Sequence, residues 1–310
     1  MEVKNFSEYA DYRKLKWVMN LSLPNDFLDD IFLETLTLKD PNFEEENIII
    51  AEEDGTWIGF VFGVERKIAP PDEVQKHKDI MWIKAFGVLN RYASTNILEK
   101  LLREFEDMAK EKGKKFIRVS DYASWYLTPG VDNLYDYYNY MLVNNGYNRV
   151  GAAVNYEIDM ARFYIPNYIE RLKKKSFSEY DIVFENVTDV DQSVLKWIKE
   201  NFSSYWRTEA EIAMKNAFGG VVVAKRDGEI LGFSTYGSLH PSWFGPVGVS
   251  KESRGMGIGT LLLYETLLEL RTNGQRVVII PWTKHLFYYA QLPGVSRIRY
   301  FNIYQKELER

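Results

Sequence analysis

The chain of 310 residues contains no cysteine. That absence excludes disulfides, thiolate nucleophiles and cysteine metal sites together. There are only three histidines, His77, His240 and His285, spread far apart, so a histidine-based metal centre is not expected. Positive charge is not in excess: 39 Lys and Arg face 44 Asp and Glu, giving a net charge of -5. A nucleic-acid-binding chain would normally show the opposite balance. No apolar run approaches the roughly 20 residues needed to cross a bilayer. Met1 to Arg13 is charged and has no apolar centre, so no secretory signal is expected. A cytoplasmic protein that binds neither nucleic acid nor membrane is the expectation.

What the chain does have is hydrophobic content (46%) and length enough for two cores. It also repeats itself. Ile48-Ile49-Ile50-Ala51 to Gly59-Phe60 reads as strand, tight turn, strand, and Val221-Val222-Val223-Ala224 to Gly232-Phe233 repeats it without a gap. The turns are Asp54-Gly55 and Asp227-Gly228, a strong hairpin signal between β-branched runs. Further on, Gly87-Val88 matches Gly248-Val249, Gly113 falls on Gly274, and Phe116 to Val119 falls on Val277 to Ile280. The polar, proline-containing stretch from Ile68 to Asp79 is an insertion in the first copy. Each copy thus predicts strand, hairpin, strand, strand, helix, strand, helix, strand. In the second copy the helix runs from about Gly257 to Thr272, with Ile258, Leu261, Leu262 and Leu268 on its apolar face and Gly274 ending it. Residues 161–180 read as a connector whose Lys173-Lys174-Lys175 run is a solvated face.

Between the strand ending at Val249 and that helix lies Arg254-Gly255-Met256-Gly257-Ile258-Gly259. A helix start leaves backbone N–H groups unpaired, with the positive end of the dipole behind them. Glycines let an anion come close, and Arg254, with Lys251 nearby, adds full charge; a pyrophosphate suits such a place. The dinucleotide fingerprint fails because Thr260 stands where its third glycine belongs, and the P-loop fails because no Gly-Lys-Ser/Thr follows.

Arg254, Gly257 and Gly259, five to ten residues after Val249, resemble the coenzyme A pyrophosphate loop of the GNAT superfamily of N-acetyltransferases. Trp282-Thr283 and Phe287-Tyr288-Tyr289, with Gly294 following, resemble the helix after that fold's fifth strand. Thr128-Pro129-Gly130-Val131-Asp132 resembles a segment of tandem two-domain members. The resemblance implies an α/β fold of two tandem domains, each a mixed, mostly antiparallel twisted sheet flanked by helices. It implies a degenerate domain over 1–160, a connector over 161–180 and an acetyl-CoA-binding domain over 181–310. It also implies an acyltransferase moving acetyl from acetyl-CoA to a primary amine of a small molecule or a protein by direct attack. A non-catalytic acyl-CoA-binding or sensing protein is the alternative.

Further implications concern single residues. The strand ending at Val247-Gly248-Val249 would splay from Val277 to Pro281, and the pantetheine arm would pair with Val247 and Val249. The Val249 N–H would hold the oxyanion, and Tyr289, with Tyr288 beside it, would protonate the leaving thiolate. Arg254, Gly255, Met256, Gly257, Ile258, Gly259 and Thr260 would hold the diphosphate. No carboxylate occurs from Pro241 to Val249, His240 sits at a hairpin turn, and Glu209 and Glu211 precede the hairpin; water is the expected base. In the first copy Ala93, Ser94, Asn96 and Leu98 stand where Arg254, Gly255, Gly257 and Gly259 stand in the second. The first copy is therefore expected to bind no coenzyme A by this loop.

Overall fold

A computed structural model of the chain describes residues 1–93 and 95–309. Ser94, one position of the repeat alignment, lies outside the described residues. The chain divides into two compact units. The first comprises Met1–Ala153 together with Tyr300–Arg310, and the second Val154–Arg299.

In the first unit β1 (Glu2–Asn5) is followed by α1 (Tyr12–Ser22), α2 (Asp30–Leu36), β2 (Ile48–Glu53) and β3 (Thr56–Glu65). The insertion forms a short helix, α3 (Pro71–Val74), and a 3-10 turn over Gln75–His77. Then come β4 (Ile80–Val88), α4 (Ile97–Glu111), β5 (Phe116–Val119), β6 (Val131–Asp132), α5 (Asp136–Asn144) and β7 (Asn148–Asp159). β1 to β4 pair in antiparallel order, and β4 runs parallel to β5 over Ile80–Ile83.

The second unit takes up the chain within β7. It contains α6 (Asn167–Tyr180), β8 (Val183–Val187), α7 (Gln192–Asn201), α8 (Ser204–Lys215), β9 (Gly220–Arg226), β10 (Glu229–Tyr236) and β11 (Phe244–Val249). After these follow α9 (Ile258–Thr272), β12 (Val277–Thr283), α10 (Leu286–Ala290) and β13 (Val295–Glu307). β8 to β11 form a four-stranded antiparallel sheet in the spatial order β11-β10-β9-β8. The apolar run of β9 serves both faces, as strand alternation requires. Val222 and Ala224 pack with Leu261, Leu262 and Leu270 of α9, and Val221 and Val223 pack with Val194, Leu195 and Ile198 of α7.

The duplication read from the sequence is present in the backbone. Both hairpin turns put both central residues in the left-handed region: φ is 50° and 77° at Asp54-Gly55, and 50° and 84° at Asp227-Gly228. Such turns match the twist of the flanking strands. α4 and α9 are each 15 residues long, and Gly113 and Gly274 follow them at φ 70° and 82°. A side chain at Gly59 would collide with Val88, Leu101 and the Gly87 carbonyl. One at Gly232 would meet Val249, Leu262 and the Gly248 carbonyl, the equivalent three.

The expected boundaries differ from the observed ones. Residues 161–180 are not a free connector: Phe163 and Ile169 belong to the second unit's core, and Leu172 packs against it. Val154, Tyr156 and Ile158 sit in the same core, on a strand antiparallel to β12. The chain's last strand goes the other way, since Tyr304–Glu307 pairs antiparallel with β5 of the first unit. A reading by contiguous halves cannot show this, because edge strands of similar pattern can complete either sheet.

Candidate functional site

The site grows out of the parting of β11 and β12. Both strands run the same way and meet at a single bridge, Trp243 to Ile279, where the Ile279 N–H donates to the Ser242 carbonyl at 3.0 Å. Beyond it β11 pairs only with β10, so its other edge is open over Val247–Val249, as the resemblance implied. Backbone direction alternates along a strand. The Ser250 N–H donates to Leu231 at 2.9 Å, toward β10, so the Val249 N–H faces the open edge.

A cleft of about 510 Å³ lies along this edge. Its walls include Val247, Gly248, Val249, Arg254, Gly255, Gly257, Ile258, Gly259, Thr260 and Tyr289, all expected from the sequence. Met256, expected with them, does not line it; its side chain packs on the core beneath. Ser253, His285 and Tyr288 also line it. None of the lining residues is a carboxylate, and neither Glu209 nor Glu211 is among them. Glu211 is instead paired with Arg207 at 2.6 Å and Lys215 at 2.8 Å. His240 is not a wall residue either; its Nδ1 lies 2.7 Å from the Ser242 hydroxyl.

The loop after Val249 shows why glycines stand there. Gly255 and Gly257 have φ of 85° and 79°, a region costly for other side chains. Gly257 is the N-cap of α9 and offers no side-chain cap, so the first-turn amides stay available with the helix dipole behind them. Arg254 is exposed; its Nε lies 3.4 Å from the Val249 carbonyl, and no described carboxylate pairs with it.

The far wall is α10. The chain enters it through Trp282, a non-glycine residue at φ 48°, whose N–H donates to the Asn155 side chain at 2.9 Å. The His285 N–H donates to the Thr283 hydroxyl at 3.0 Å, and the Tyr156 hydroxyl donates to the Leu286 carbonyl at 2.6 Å. A backbone strained at Trp282 and held by three such bonds presents side chains in fixed directions. Tyr288 turns its hydroxyl toward Thr260 and Gly259. Tyr289 is 6% exposed and packs on the rings of Tyr156 and Phe244. Burial pushes its phenol well above the ordinary tyrosine range, so it keeps its proton at neutral pH.

The first unit carries the same parts with different fillings. β4 and β5 pair through Ile83–Val119 and then part, and the Leu89 N–H donates to Ile58 at 2.8 Å, so Val88 faces outward like Val249. Here the space is taken. The Val88 N–H donates to the Tyr138 hydroxyl at 3.2 Å, and that hydroxyl lies 3.1 Å from the Val88 carbonyl and 2.8 Å from the Ser22 carbonyl. Tyr137 and Tyr138 stand on α5, which follows β5 in the chain as α10, with Tyr288 and Tyr289, follows β12. At the helix start Leu98 is fully buried where Gly259 stands in the other copy. Asn96 has an ordinary negative φ, and the Ile97 N–H points at the Thr95 hydroxyl at a long 3.4 Å.

Three residues at these two places carry no distinguishing pattern in the sequence. His285 was one of three scattered histidines, Ser253 one serine among many, and Tyr138 one of 21 tyrosines. Among the described residues no group of acidic or histidine side chains is arranged to hold a metal ion, and no helix is long and apolar enough to cross a membrane.

The comparisons with known proteins agree with this geometry. The sequence model of the acetyltransferase (GNAT) family matches residues 191–285, from α7 to the edge of α10. No curated protein matches the chain in sequence. Among solved structures, the glucosamine N-acetyltransferase region of a fungal multi-domain β-N-acetylglucosaminidase superposes with a TM-score of 0.77 at 14% identity. The match covers 98% of this chain, and the chain spans 38% of that one. A tandem GNAT protein from the clavulanic acid biosynthesis pathway gives 0.66 at 14% identity, covering 100% of this chain and 99% of that one. A GCN5-related N-acetyltransferase from Sphaerobacter thermophilus gives 0.64 at 14%, covering 97% and 94%. At such identities the structures establish the fold, and the family match lies on the segment that carries the glycine loop. Residues 191–285 thus match the GNAT family model, and the whole chain has the fold of the tandem GNAT structure it resembles.

Proposed function

We propose that the second unit is an acyl-CoA-dependent N-acyltransferase that moves acetyl from acetyl-CoA to a primary amine by direct attack, and that the first unit binds no cofactor. One observation carries the reading: the open edge of β11 and the uncapped start of α9 form one continuous cleft with Arg254 at its end. The first-turn amides of α9 and the Arg254 guanidinium suit the diphosphate. Outward-facing backbone groups of Val247 and Val249 suit the amides of the pantetheine arm.

In the transfer step the amine nitrogen forms a bond to the thioester carbon. The carbonyl oxygen takes up the negative charge, and the Val249 N–H stabilises it. Collapse breaks the C–S bond, and Tyr289 gives its proton to the departing thiolate; solvent then restores the phenol. The attacking amine must shed a proton as well. With no carboxylate on the walls, that proton leaves through water at the cleft mouth, where the exposed His285 stands.

The first unit supports its half of the reading by what fills it. Leu98 stands buried at the repeat position of Gly259, and Tyr138 already holds the Val88 amide that would meet a thioester oxygen. The lack of a carboxylate in the cleft favours a second reading for the other unit, a protein that binds acyl-CoA without turnover. Thiol release from acetyl-CoA with a panel of primary amines separates the two. Release with at least one amine supports the enzyme; tight coenzyme A binding with no release across the panel supports the binder.

A further inference from the structure

Three elements converge at one point of the cleft. A Cβ built on Gly259, in the first turn of α9, would stand 3.5 Å from the Val249 side chain at the end of β11 and 3.7 Å from the Tyr288 hydroxyl on α10. Val249, Gly259 and Tyr288 all line the cleft, so the strand edge, the helix start and the far wall border the same small space. On the proposed function that space is a junction. The diphosphate lies at the first-turn amides of α9, and the pantetheine arm lies along Val247–Val249. A chain running from one to the other passes beside Gly259, between Val249 and Tyr288. The charged group nearest that passage is the phosphate that carries the pantetheine arm.

The phenol at the junction is held in place. Tyr288 is half-buried and packs on the core beneath α9. Its ring meets that of Tyr289 edge to face, with centroids 4.8 Å apart. Its hydroxyl shares a hydrogen bond with the hydroxyl of Thr260, the next cleft residue after Gly259. Burial pushes the phenol above the ordinary tyrosine range, so it keeps its proton at neutral pH. A phenol and a threonine hydroxyl each have one proton to donate, and bonded to each other they use only one of the two. A phosphate oxygen between them takes both, and bonds to a charged acceptor are the stronger ones.

We propose that Tyr288 is a ligand of the acyl-CoA diphosphate, donating from α10 to the pantetheine-side phosphate while Thr260 donates to it from α9. The inference rests on the acyltransferase reading of the same cleft. It gives the two adjacent tyrosines separate tasks, Tyr288 at the phosphate and Tyr289 at the thiolate.

Calorimetry with coenzyme A, joined to phosphorus NMR of the bound cofactor, tests it on the wild-type protein, Tyr288→Phe and Thr260→Val. Tyr288→Phe should bind coenzyme A about tenfold more weakly, the scale of one charge-assisted bond. Thr260→Val should lose affinity on a similar scale, and Thr260→Ser, which keeps the hydroxyl, should bind like wild type. In both weakened variants the pantetheine-side phosphorus resonance should move from its wild-type position, and the 3′-phosphate resonance should stay. Melting temperatures matching wild type show that the variants are folded. Should Tyr288→Phe fail to fold, Thr260→Val reads the same phosphate from the opposite wall. Unchanged or tighter binding, the result for a hydroxyl that only braces α10 against α9, overturns the inference and leaves the enzyme reading intact, as does an unmoved diphosphate resonance. No binding of coenzyme A to the wild-type protein removes the enzyme reading and the inference with it.

Discussion

The two units carry one backbone plan and two different chemistries at the same place. At the start of α9, Gly257 and Gly259 leave amides open to the cleft, and Val249 presents its N–H to an unpaired strand edge. At the start of α4, Leu98 is buried in the position of Gly259, and the Val88 N–H is held by Tyr138. The difference teaches that the splay of two strands belongs to the fold, whereas the open helix start, and with it the proposed anion site, belongs to a few residues. It also offers an internal picture of the proposed oxyanion contact. The Tyr138 hydroxyl at 3.2 Å from Val88 shows that an outward amide at this position can take an oxygen.

The comparison is broken most severely by cutting the chain after Arg299. That removes the antiparallel partner of β5 and takes Phe301, Ile303 and Tyr304 from the first unit's core. Each buried side chain of this size contributes about 1.5–3 kcal/mol, so the sum rivals the 5–15 kcal/mol typical of a whole domain. The first unit should lose its cooperative melting transition, followed by circular dichroism, although the lost residues are the last in sequence. A truncated chain that melts like the full one would show the two units to be contiguous halves after all.

Gly259→Leu sharpens the comparison by giving the second unit the residue of the first. A Cβ there meets Val249 and Tyr288 only at 3.5 and 3.7 Å, ordinary contact distances, so the fold should survive. The rest of a leucine side chain would project into the cleft. Coenzyme A affinity should fall by about 100-fold or more, the loss of two or more charge-assisted bonds, with the melting temperature nearly unchanged.

The two tyrosines give a smaller and more discriminating contrast. Tyr289→Phe should lower turnover by about 100-fold with coenzyme A affinity preserved, because it removes a proton donor and little packing. Tyr138→Phe should leave turnover alone and cost the first unit about 1–3 kcal/mol, since the Val88 N–H loses its partner. Steady-state kinetics and thermal melts on the same two variants measure both. The smallest effect is expected at His285. His285→Ala should reduce turnover by less than about tenfold if the amine's proton leaves mainly through water. A larger loss at unchanged coenzyme A affinity would make the imidazole the acceptor of that proton.

Much of this was legible because the signals are local. Asp-Gly between β-branched runs is a strong hairpin signal, and the glycines at 255, 257 and 259 mark the turn into α9, where Gly255 and Gly257 take positive φ. The exchange of final strands was not legible, because pairing of Tyr304 with Val119 and of Val277 with Asp159 depends on distant partners that no local pattern names. Helix α6 was hidden for another reason. Its lysine run does face solvent, and its contact with the start of α9 comes from Leu172 packing on Gly257. Tyr138 is a similar case, since a phenol that fills a cavity and one that serves it look alike in sequence.

On the proposed function, the start of α9 binds the diphosphate and the start of α4 does not. The direct test is titration of coenzyme A into Arg254→Glu and Ala93→Glu by calorimetry under one set of conditions. Arg254→Glu is expected to lose about 10- to 100-fold in affinity, the range of a charge-assisted contact turned repulsive, and Ala93→Glu to keep the wild-type affinity. Equal losses for the two, or a loss for Ala93→Glu alone, would contradict it.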